Sequence, residues 1–143
     1  MTGFLIDTNV LSEYNRPGGP DAGVKRWLET THRRSQYVSV ITLAEIQKGI
    51  ELLAHGRRRT ALEQWLRQDL EAWFFDRILP IDRQVGGCWA SLVVQGLRVG
   101  RRFPAIDSWI AATAVAHDLT IVTRNVPDFA GTGAPTLNPW QSA

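Results

Sequence analysis

The hydrophobic pattern opens with three apolar residues, Phe4-Leu5-Ile6, that stop at an acid, Asp7. A run this short reads as a buried strand, and Thr8 and Asn9 behind it are cap and turn formers. After a loop at Arg16–Pro20, Val24, Trp27 and Leu28 fall at helical spacing between Asp21 and about Thr31. Tyr37-Val38-Ser39-Val40 is a second strand. Leu43, Ile46, Ile50 and Leu53 mark one face of a helix from Thr42 to about Ala54, with Gly56 as its C-cap. Leu62, Trp65, Leu66, Leu70, Trp73 and Phe74 mark a further amphipathic helix.

The second half keeps this rhythm. Ile78–Ile81 is extended, and Val85, Trp89, Leu92 and Val93 give a helix ending near Gly96. A basic loop, Arg98–Pro104, leads into a helix marked by Ile106, Ile110, Ala114 and Val115 and running to about Asp118. Leu119–Thr123 is a strand, Val126-Pro127-Asp128 a turn, and Pro135–Trp140 a partly extended tail. Strands alternating with helices predict an α/β fold, a parallel sheet wrapped by helices.

Composition narrows the class. A chain of 143 residues, 44% hydrophobic and 21% charged, reads as one soluble domain over residues 1–143. No apolar run is long enough for a bilayer span. The lone Cys88, expected to be buried and inert in its helix, excludes an internal disulfide framework and a cysteine-built zinc site. Together these favour a reducing, cytoplasmic setting. The net charge is only +2, yet the bases cluster at Arg33-Arg34, at Lys48 with Arg57–Arg59, and at Arg98, Arg101 and Arg102. Such clusters can hold phosphates, or can simply be solvated surface. The six tryptophans mostly share helical spacing with other apolar residues, which favours packing over base stacking.

Three acids, Asp7, Glu45 and Asp107, stand in or beside the first turn of helices that follow strands or loops. In a right-handed parallel fold those helix starts gather at the carboxyl edge of the sheet. Three carboxylates meeting there would suit Mg²⁺ or Mn²⁺, which prefer oxygen ligands. Each acid also has a structural reading. Asp7 can cap its helix, Thr42-Leu43-Ala44-Glu45 matches a capping box, and Asp107 can answer the helix dipole. Thr123, Asn125 and Asp128 offer further polar groups at the same edge.

Other chemistries find no footing. His32, His55 and His117 lack metal-ligand spacing, no serine sits in a nucleophile elbow, and no glycine-rich phosphate loop occurs. A phosphotransferase or receiver would also use a strand-end Asp as nucleophile or phosphoacceptor. The former wants a second acid two residues on, where Asn9 stands, and the latter a late lysine, yet none follows Lys48. A non-catalytic nucleic-acid or partner-binding module, its acids serving as caps, is the other alternative.

The motifs LIDTNVLSE, SVITLAEIQKGI, LPID, AIDSWIAATAVAHDLTIVTRN and the closing NPW, in that order, resemble the PIN-domain ribonucleases. Within them the VapC/FitB-like toxins of prokaryotic toxin–antitoxin pairs are most similar. The resemblance runs from Leu5 to Trp140. It implies a three-layer α/β/α sandwich, Mg²⁺ or Mn²⁺ dependence, endonucleolytic cleavage of RNA, a homodimer or higher oligomer, and a small cognate antitoxin whose tail occupies the active-site groove. It matches Asp7, Glu45 and Asp107 to the metal-binding acids of the family. The family often has a fourth acid near TRN; here Asn125 follows Arg124 and the nearest acid is Asp128, so either residue can complete the catalytic ring.

Overall fold

The computed structural model describes residues 3–141. Its strands and helices alternate from the start: β1 (Gly3–Ile6), α1 (Thr8–Ser12), α2 (Ala22–Thr30), β2 (Gln36–Ser39) and α3 (Val40–Glu51). Next come α4 (Arg57–Gln64), a π-helical turn (Trp65–Leu70) and α5 (Glu71–Trp73), then β3 (Ile78–Leu79). The chain closes with α6 (Arg83–Arg98), α7 (Ala105–Ala116), β4 (Leu119–Val122) and β5 (Thr136–Leu137).

All strand pairs are parallel, in the order β3-β2-β1-β4-β5. Phe4, Ile6, Val38 and Val122 face a core shared with α1 to α4, the π turn and Phe74. Leu5, Tyr37, Leu119 and Ile121 face the opposite core, against α6 and α7. Strand residues alternate between faces, so both sides of the sheet must be covered. The result is the three-layer α/β/α sandwich.

Because β1 is central, the chain leaves it in one direction toward β2 and later returns on its other side as β4. The strand order reverses between β1 and β4, and the carboxyl ends of those two strands are where an open α/β sheet forms its ligand crevice. Asp7 follows β1 there and Thr123 follows β4, with the Asp7 N–H donating to the Val122 carbonyl at 2.9 Å.

Local boundaries correct several expectations. The second strand ends at Ser39, whose hydroxyl caps α3 by accepting from the Ile41 N–H at 3.0 Å. Thr42 is therefore inside the helix and fully buried, and Thr42–Glu45 is not a capping box. The helix is capped at Leu52, and Gly56 instead precedes α4 in extended backbone. Cys88 is half-buried rather than sealed in the core.

Candidate active site

Asp7 is 8% exposed and does two jobs at once. Its Oδ1 caps α1 by accepting from the Thr8 N–H at 2.9 Å. Its Oδ2 accepts from the Thr123 hydroxyl at 2.9 Å and, more weakly, from Asn9 Nδ2 at 3.4 Å. The structural and chemical readings of Asp7 are thus compatible, because a carboxylate oxygen keeps a lone pair after accepting one bond. Burial pushes its carboxyl above the ordinary range, and the charge of Asp128 adds to the rise; the bonds from Thr123 and Thr8 pull it back.

Thr123 is fully buried and ties the crevice together. Its hydroxyl donates to Asp7 and accepts from the Asn125 N–H at 3.0 Å and from Asn9 Nδ2 at 3.3 Å. Asn9 completes the strap by accepting from the Arg124 N–H at 3.2 Å. Glu45, half-buried on α3, accepts from the Thr8 hydroxyl at 3.0 Å.

Asp107 lies in the first turn of α7, behind Pro104. Ser108 anchors that turn, donating to the Ala105 carbonyl at 2.7 Å while accepting from Trp89 Nε1 at 3.0 Å. Partial burial, reinforced by the negative charges of Asp7, Asp128 and Glu45, pushes the Asp107 carboxyl up to about 6. Asp107 therefore senses three acids from distant parts of the chain. Asp128 lies in the turn Val126–Phe129, where its charge raises both Asp7 and Asp107, and Asn125 donates its backbone N–H to Thr123.

The donors are carboxylate and hydroxyl oxygens, which suit a hard divalent cation. Among the described residues no three acidic, histidine or cysteine side chains are grouped as a ready-made metal site. Mg²⁺ keeps several of its waters and needs only one or two protein carboxylates, so Asp7 with one neighbouring acid would suffice to hold it.

One depression reaches the acids at Glu45, and a second adjoins it through Trp65. A groove of about 480 Å³ runs from Thr8 and Glu45 past Gly49 to Arg16, Arg58 and Trp65. A more apolar cleft of about 210 Å³ is lined by Leu11, Tyr14, Leu28, Trp65, Trp73 and Phe74. Trp65, at the start of the π turn, is a wall of both.

The basic clusters separate. Arg34 shares a cavity with Gly3 and Leu119, the first residues of β1 and β4, so it stands at the opposite edge of the sheet from Asp7, and it pairs with Asp76 at 2.9 Å. Arg33 lies over the Trp73 ring. Arg59 is committed to Glu63 and the Leu53 carbonyl, and Arg101 to Phe103 and the Pro127 carbonyl. Arg58 alone of these reaches the groove beside Glu45.

Residues 4–130 match the family model of the PIN domain. The chain belongs to the PIN-domain family. This PIN domain is similar to toxin FitB of Neisseria gonorrhoeae, with 38% identity over 137 residues covering 96% of this chain and 98% of that protein. It is also similar to the VapC ribonuclease Y4jK of Sinorhizobium fredii, at 34% identity over 140 residues, covering 98% of this chain and 99% of that one. The crystal structure of FitAcB from N. gonorrhoeae superposes with a TM-score of 0.91 at 37% identity, covering 96% of this PIN domain and 99% of that chain.

Proposed function

We propose that this PIN domain is a divalent-metal-dependent endoribonuclease and the toxin of a toxin–antitoxin pair. The observation that carries the reading is the placement of the acids at the strand-order reversal. Asp7 is tied to Thr123 across the two central strands, Glu45 to the adjoining Thr8, and the Asp107 carboxyl is pushed up by burial and by the charges of Asp7, Asp128 and Glu45. Repulsion of this kind is unfavourable in an apo fold and is relieved by a bound cation. The names of the similar proteins, a toxin and a VapC ribonuclease, agree with it.

Asp7 and Asp107 would hold Mg²⁺ or Mn²⁺, with Glu45 as a direct or water-bridged third ligand. A bound cation supplies charge against the phosphate oxygens and lowers the pKa of water. The protein's own part is orientation. Thr123 fixes Asp7, Thr8 fixes Glu45, and the Ser108–Trp89 contact fixes the turn that carries Asp107. Asp128 adds charge at the rim, and Asn125 holds the backbone there. The groove past Arg58 offers the RNA backbone a basic path to the acids. The cleft of Leu11, Leu28 and Trp73 suits an apolar segment of the antitoxin. A homodimer would draw on Val94 and Leu97, apolar residues left exposed on α6.

The test is cleavage of labelled RNA by antitoxin-free protein in Mg²⁺, Mn²⁺ and EDTA, beside Asp7→Asn. Metal-dependent cleavage absent from the variant supports the reading. RNA binding without metal-dependent cleavage favours the non-catalytic module instead.

A further inference from the structure

Arg124 directly follows Thr123 at the crevice, and its N–H is held by Asn9, which is itself bonded to Asp7 and Thr123. The backbone of Arg124 is therefore fixed relative to the acids. Its exposed side chain turns toward Trp140, with the guanidinium carbon 5.3 Å from the ring centroid. A guanidinium laid over an indole is restrained while its N–H fork stays available. Among the described residues Arg124 makes no ion pair, although Asp128 follows on the next turn. Arg34, Arg59 and Arg101, by contrast, are committed to a carboxylate or a carbonyl.

The geometry points to a phosphate-binding site in which Arg124, restrained by Trp140, grips an RNA phosphodiester neighbouring the one presented to the acids. The inference rests on the nuclease reading for its ligand. Its chemistry is that of a charge-assisted fork on a phosphate. An anionic backbone approaching four carboxylates needs fixed positive charge beside them, and Arg124 is anchored to the same strap that orients Asp7.

The test measures binding of a short fluorescein-labelled single-stranded RNA in EDTA, where no turnover intervenes, across a KCl series. Wild type is compared with Arg124→Ala, Arg124→Lys and Arg34→Ala, the last at the opposite sheet edge. Arg124→Ala should reduce the slope of log affinity against log salt by about 0.7, the value for one single-strand phosphate contact. Arg124→Lys should retain the slope and bind more weakly, since lysine keeps the charge without the planar fork. In Mn²⁺, Arg124→Ala should raise KM while kcat stays within about twofold. A slope unchanged in Arg124→Ala, or lowered equally in Arg34→Ala, overturns the site. A slope loss accompanied by no metal-dependent cleavage in wild type upholds the phosphate site and removes the nuclease reading. Metal-dependent cleavage with an unchanged slope does the reverse.

Discussion

The Thr123 hydroxyl donates to Asp7 Oδ2 at 2.9 Å across 116 residues of sequence, and both side chains are buried. Thr123→Val keeps the shape and deletes the donor. It leaves Asp7 without its closest side-chain partner and the Asn125 N–H without its acceptor. Urea unfolding should show a loss of about 1–3 kcal/mol, and metal-dependent cleavage should fall sharply. Thr123→Ser should restore both.

The Asp107 carboxyl, pushed from 3.8 up to about 6 in the folded state, makes metal-free stability pH-dependent. Below the unfolded value both states hold the proton, and the folded state is not penalised. As pH rises through the window from 3.8 to about 6, the unfolded chain ionises first and stability is lost; above that window the loss is constant. Thermal melts in EDTA should show this decline for wild type. Asp107→Asn should flatten it and should melt higher at neutral pH while losing cleavage.

Divalent metal should reverse the same penalty. Melting temperature should climb with Mg²⁺ or Mn²⁺ concentration, as linkage to a native-state ligand requires. Asp7→Asn and Asp107→Asn should abolish the climb. Glu45→Gln should weaken it, because glutamine keeps an oxygen for the Thr8 hydroxyl but carries no charge.

Arg77 should matter for stability alone. It is 5% exposed, and its guanidinium donates to the carbonyls of Arg33, Gln36 and Trp73, pinning the approach to β3. Arg77→Ala strands those carbonyls and should lower unfolding free energy by about 3 kcal/mol. Cleavage per folded molecule, measured after correcting for the unfolded fraction, should be unchanged.

The acids were legible in the sequence because strand-end logic is local: an apolar run that stops at Asp7, and an acid three residues past Pro104, can be seen in short windows. The layers were legible for the same reason, since Leu5 between Phe4 and Ile6 must face the other way. The α3 cap was not, because Ser39 and Thr42 are equally able caps three residues apart. Burial of Thr42 against the core selected Ser39, and burial is a tertiary fact. The pairings of Thr8 with Glu45 and of Asn9 with Arg124 span 37 and 115 residues, so no local pattern encodes them. The sorting of the arginines was hidden likewise: Arg33-Arg34 and Arg124 look alike in a string of letters, and only the direction of the strands places them on opposite edges.

The place of β4 beside β1 also sets when the candidate site can form during synthesis. A ribosome that has released the first hundred residues has already made Asp7 and Glu45, but neither Asp107 nor the Thr123 that orients Asp7. Strand β1 cannot gain its β4 neighbour until Leu119–Val122 has emerged. The strap that orients Asp7 is thereby completed only after Thr123 has left the ribosome.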